Sequence, residues 1–175
     1  AAHGADDART FALGAVDFLM AGERLVQAAH RHGFMGTFNQ VGAMMGPRAT
    51  FLSWIGNDAP DDTTDADLHA AVGMFVGDLA KAEQTLAGVG GDFTCAIDLN
   101  AVRFDINADG EASRGESLRG LFNLLPPTTT WENGRRTTSP LVPDDLVVAF
   151  DHGDAEWMRG YCHLLSAGGA WFLAH

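Results

Sequence analysis

Lysine occurs once in this chain, at Lys81, tyrosine once, at Tyr161, and cysteine only at Cys95 and Cys162. Arginine therefore supplies nearly all of the basic charge, and 11 bases face 23 acids for a formal net charge of −12. A surface of that sign repels phosphate backbones and anionic lipid, which disfavours nucleic-acid binding. No stretch reaches the roughly 18 uninterrupted apolar residues of a membrane span. C-x-x-C, H-E-x-x-H, G-x-S-x-G and a glycine-rich phosphate loop are all missing, which removes the commonest zinc, serine-nucleophile and nucleotide signatures. Two cysteines allow one disulfide in an exported protein, but two buried thiols are the commoner state.

What is present is enough for a packed core. The 175 residues, 46% hydrophobic, make one domain by length, residues 1–175, too apolar for extensive disorder. Helical spacing dominates. Over residues 5–32, Phe11, Leu13, Val16, Phe18, Leu19, Leu25 and Val26 form a broad apolar face that Asp6 or Asp7 can cap, with a break expected near Gly22. Residues 34–60 read as irregular. Ala66 to Leu86 is the clearest amphipathic helix, with Leu68, Val72, Phe75, Val76, Leu79 and Leu86 on one side and Gly88 and Gly90-Gly91 as a stop. Asn133-Gly134 between threonine-rich runs predicts a hairpin or extended loop. Leu146–Phe150 is a short apolar run. A last helix follows, carrying Trp157, Tyr161, Leu164, Leu165, Gly168, Trp171 and Phe172 as an aromatic stripe expected in the core. The sum predicts a mainly α fold, a single helical domain with a few short strands.

Oxygen-rich chemistry is concentrated at residues 105–116, Asp-Ile-Asn-Ala-Asp-Gly-Glu-Ala-Ser-Arg-Gly-Glu. The run satisfies D-x-[DN]-x-[DN]-G-x5-E at every specified position. Donors alternate along it, and a glycine stands where the chain must turn sharply. An Asp/Asn/Gly-rich surface turn accounts for Asp105 and Gly110, but not for Glu116 opening an apolar segment six residues later. The run resembles the calcium loop of the EF-hand family, and the likeness covers roughly residues 97–125. It implies a calcium ion held by Asp105, Asn107, Asp109, the main-chain carbonyl of Glu111, Ser113 directly or through a water, and both oxygens of Glu116. Upstream, Ile97, Ala101 and Phe104 suit an entering helix, while alternating Phe93, Cys95, Ile97 and Leu99 suit a strand equally well. Position eight is Ala112, where paired EF-hands carry a branched aliphatic, and no second loop matches. A lone loop is expected, strand–loop–helix rather than helix–loop–helix.

Other clusters have simpler readings. His30 and His32 project about 200° apart on a helix and cannot share a metal. Asp58, Asp61, Asp62, Asp65 and Asp67 lack a turn glycine and closing glutamate, and suit a helix N-terminus capped by Thr63 or Thr64. Asp151-His152-Gly153-Asp154 could serve an acid–base role through His152, but Asp151 capping a helix, with Asp154 answering its dipole, is simpler. Cys162 beside His163 diverges from it on a helix and packs inward. Arg135-Arg136 could grip an acidic partner or simply be a solvated turn.

Arginine in place of lysine, with abundant Ala and Gly, matches the coding bias of a GC-rich bacterial genome. Ala1-Ala2-His3-Gly4 fits the end left by signal-peptide cleavage or an arbitrary boundary, and the apolar C-terminus reads as cut from something longer. A lone calcium loop suits the high calcium outside the cytosol, so a periplasmic or secreted protein is expected. The leading expectation is an exported calcium-binding protein, more a binder than an enzyme, with the ion structural. A calcium-dependent module or sensor that binds an unidentified protein partner is the alternative, and a hydrolase using His152 the third reading.

Overall fold

The long apolar periodicities near 3.6 resolve into helices, and the short alternating run at 95–98 and the short apolar run at 147–150 into strands. In the computed structural model, which describes residues 2–33, 56–57, 59–122, 128–132, 134–139 and 146–175, the order is α1 (Ala2–Arg31), α2 (Asp65–Ala87), β1 (Cys95–Asp98), a 3-10 turn (Arg114–Glu116), α3 (Leu118–Phe122), β2 (Thr128–Glu132), β3 (Arg135–Ser139), β4 (Val147–Phe150) and α4 (His152–Leu173). The described protein is thus mainly helical with a few short strands. The irregular connection expected over 34–60 lies largely outside the described residues, as do Asp58 and Asn133. Contacts divide the chain into two compact units: residues 1–28, 61–97 and 148–175, and residues 29–60 and 98–147.

The first unit is built on α2. Thr64 caps it: its side chain accepts from the Asp67 amide, and Asp67 Oδ2 accepts from the Thr64 amide at 2.9 Å. Leu79, Ala82 and Leu86 of α2 are buried with Phe11 and Ala15 of α1, Val89 and Phe93 of the following turn, and Ala155 and Cys162 of α4. Each fully buried Leu or Phe contributes about 1.5–3 kcal/mol relative to exposure. The Phe11 ring lies 5.3 Å from Phe93 and 5.4 Å from Phe150, so strand β4, paired with β1, is tied to the helical core. Both cysteines are free thiols, Cys162 buried and Cys95 half-buried.

Two expectations for the helices are corrected. α1 is continuous through Gly22, and Asp6 and Asp7 lie inside it rather than at its start. Asp7 instead accepts the Gly90 amide at 3.1 Å, holding the turn after α2. The aromatic stripe of α4 is not core: Trp157, Leu164 and Trp171 are 62%, 66% and 68% exposed. The inward face is the other one, with Ala155 and Cys162 buried and Met158 packed against the core.

In the second unit, Asn57 Nδ2 donates to the His30 carbonyl at 3.1 Å, closing the end of α1, and Gly33 takes a left-handed φ of 65° just beyond. Strands β2 and β3 form the expected hairpin, antiparallel with Thr130 opposite Thr137 and Trp131 opposite Arg136, around Gly134 at φ 75°.

Glycine has two different uses in α1. A Cβ on Gly14 would sit 2.6 Å from Leu86 Cγ, whereas one on Gly22 would meet nothing within 4 Å. We expect Gly14→Ala to destabilise by about 1–3 kcal/mol through overpacking, and Gly22→Ala to stabilise by about 0.5–1 kcal/mol through helix propensity. Urea unfolding of the two variants checks both signs.

Candidate metal centre

The loop 105–116 is closed at its base by extended backbone. Arg103 bridges Ser117 in antiparallel fashion, the Phe104 amide donates to the Glu116 carbonyl at 2.7 Å, and the Leu118 amide to the Val102 carbonyl at 3.1 Å. The segment entering the loop is therefore strand β1, a turn at Asp98–Ala101 and this bridge, with no entering helix. The turn is held by the Asn100 amide on Asp98 Oδ1 at 2.9 Å, and Arg119 of α3 donates to Asn100 Oδ1 at 3.0 Å.

Within the loop Asp105, Asn107 and Asp109 each fold onto the backbone ahead of them. Asp105 accepts from the amides of Asp109 and Gly110 at 3.1 and 3.0 Å. Asn107 Oδ1 accepts from the same Asp109 amide at 3.1 Å, and Asp109 Oδ1 accepts from Glu111 at 2.8 Å. One N–H shared by two oxygens brings Asp105 and Asn107 together, and Asn107 Nδ2 reaches Asp109 Oδ2 at 2.9 Å. The curl needs two left-handed residues, Ala108 at φ 57° and Gly110 at φ 89°. Gly110 adopts this without a Cβ penalty; Ala108 carries a modest one.

Glu116 differs from the other acids because it is fully buried, at 0% exposure. Its Oε1 accepts from the Ile106 amide at 2.9 Å and its Oε2 from the Ser113 amide at 3.0 Å, so one carboxylate grips both ends of the loop. Ser113 Oγ leans toward the Glu116 amide without closing a hydrogen bond, and is buried with no partner. Of the expected donors, Asp105, Asn107 and Asp109 are thus linked to one another, and Glu116 is held apart from them on the Ile106 and Ser113 amides. Among the described residues, however, no three His, Cys, Asp or Glu side chains converge on one point as a metal needs. The donor chemistry nevertheless suits a hard cation: carboxylates, an amide oxygen, a hydroxyl and a carbonyl, with neither thiol nor imidazole. A carboxylate oxygen has lone pairs for more than one partner, so bonding to an amide does not exclude an ion.

The other sequence candidates assemble nothing comparable. Asp151 Oδ1 accepts from Gly153 and Asp154 at 2.8 and 3.3 Å, and Asp154 Oδ2 accepts from Asp151 at 2.9 Å, which is a helix cap. His152 is exposed beside it. Burial pushes the Cys162 thiol pKa up, and the negative charge of Glu83 adds to this, so the thiol stays protonated. Arg135 and Arg136 are exposed on β3.

Compared with protein-family models, curated proteins and solved structures, the chain matches none. Its chemistry has to be read from its own residues. Sequence reasoning missed the parts played by the Ile106 amide and by Ala108, because main-chain donors and a left-handed alanine leave no pattern in residue types. Glu116 it singled out, for ligation alone.

Truncating Glu116 to Ala strands the buried Ile106 amide and the part-buried Ser113 amide. In chelator, Glu116→Ala should therefore lose about 2–4 kcal/mol of stability, and Glu116→Gln, which keeps one acceptor oxygen, about half of that. Denaturant titration of the metal-free variants measures the difference.

Proposed function

We propose that residues 105–116 bind calcium and that the ion fastens the loop rather than switching it. The observation that carries this reading is the gathering of Asp105 and Asn107 oxygens about the Asp109 amide, with the Asp109 carboxylate held on Asn107 Nδ2 and Glu116 buried at the far end of the same twelve residues. The holding groups would be Asp105, Asn107, Asp109, the Glu111 carbonyl, Ser113 and Glu116. Bound calcium supplies positive charge among three carboxylates that otherwise repel one another. The chain's own residues already do the rest: Gly110 and Ala108 curl the backbone, the bridge at Arg103 and Ser117 closes it, and Arg119 fixes the exit helix on Asn100.

A structural ion is favoured over a sensor because Ala112, at the position through which paired loops join, is small and exposed. A lone loop of this kind works best where calcium is abundant, so we place the protein outside the cytosol, periplasmic or secreted.

Ligand that binds only the folded state stabilises it by mass action. Calcium at a hundred times its Kd should raise Tm by roughly 5–10 °C over chelator. Asp109→Asn keeps an acceptor for the Glu111 amide but removes one charge. It should weaken calcium at least about tenfold in isothermal titration while metal-free stability stays within about 0.5 kcal/mol. A wild-type melting midpoint that is the same in calcium and in chelator sinks the reading.

A further inference from the structure

Helix α4 has two apolar faces and α2 uses only one of them. Ala155 and Cys162 are buried, Met158 packs on the core, and a Cβ on Gly169 would meet Val76 Cγ2 at 2.5 Å. On the opposite side Trp157, Tyr161, Leu164 and Trp171 are 62%, 39%, 66% and 68% exposed. With Gly168 and His175 they recur at alternating intervals of four and three residues, the spacing of a helix-pairing seam. From Trp157 to His175 the one residue of fixed charge is Arg159. Its guanidinium is turned off the seam, with Nη2 on Glu83 at 2.9 Å and Nη1 on Glu156 at 2.8 Å. The outward face is thus uncharged over more than four turns, on a protein whose net charge is −12.

We infer that this face pairs with the same face of a second copy of the chain, antiparallel, about a twofold axis at Leu164. The stripe matches itself under that operation. Trp157 and Trp171 lie equally far on either side of Leu164, so each tryptophan meets the other's counterpart. Tyr161 of one copy falls opposite Ala167 and Gly168 of the other, and Gly160 and Gly168 have open space for an incoming ring. Two tryptophans, a tyrosine and a leucine exposed to this degree offer on the order of 500 Å² per copy. Pairing buries about 1,000 Å², the lower bound for a specific interface. Acidic surfaces repel, but the seam holds none of that charge, so added salt strengthens the pair. The same acidity makes anionic membranes and nucleic acid poorer occupants.

Sedimentation velocity of the full chain over a concentration series tests this. A monomer–dimer equilibrium is expected, tighter at high salt. Leu164→Glu should raise its dissociation constant at least about 30-fold, while Leu13→Glu, exposed on α1, leaves it unchanged. Circular dichroism melts confirm that both variants fold. Under mild oxidant, Leu164→Cys should form a disulfide dimer that the wild type does not. Trp157→Cys mixed with Trp171→Cys should cross-link, and neither should do so alone. A wild type that stays monomeric, a dimer indifferent to Leu164→Glu, Trp157→Cys bridging to itself, or a monomer captured by phosphatidylcholine vesicles overturns the proposal.

Discussion

A carboxylate taken out of water costs several kcal/mol unless hydrogen bonds replace its hydration, and Glu116 is completely out of water. Its two oxygens meet the amides of Ile106 and Ser113, one at each end of the loop. Everything else in 102–118 is arranged around that grip. The base of the loop is paired, Gly110 and Ala108 bend it, and Asp105, Asn107 and Asp109 fill its inner curve. The same geometry gives the loop a defined shape from its own hydrogen bonds, so little conformational entropy is left for any ligand to remove.

The helical unit solves a different problem with the same economy of polar groups. α2 meets α1 where Gly14 lets Leu86 approach, and α4 where Gly169 lets Val76 approach. Around that apolar centre the charges sit at the rim: Arg24 with Asp78, Lys81 with Asp17, and Arg159 with Glu83. Such exposed or half-exposed pairs contribute little individually, so stability rests on the packed centre and on the capping boxes at Thr64 and Asp151.

The sequence was most readable where one local rule decides the outcome. Thr64 before an apolar run, Asp151 with Asp154 three residues on, and the Asn133-Gly134 hairpin signal each named their element. Length, charge and helical spacing were sufficient for a mainly helical fold. Readability failed where a neighbour decides. Gly22 costs helix propensity, yet the packing of α1 on either side carries the helix through it. Trp157 and Trp171 have the spacing of a core face, but α4 has apolar residues on both sides, and periodicity alone does not say which side meets α2. Strand and helix readings before Asp105 were evenly matched, and the pairing of β1 with β4, far along the chain, settled them.

The β2–β3 hairpin illustrates a different property of the chain. Thr128, Thr129 and Thr130 lie opposite Ser139, Thr138 and Thr137, so hydroxyl-bearing residues face one another along most of the ribbon. Sliding one strand past the other by a residue would exchange threonine for threonine and move almost no apolar surface. The alignment is therefore encoded in very few places, the left-handed turn at Gly134 and the Trp131–Arg136 and Glu132–Arg135 pairs beside it. Sequence drift in the threonines would be nearly silent, whereas an insertion of one residue beside Gly134 would re-aim every side chain of the strand that follows.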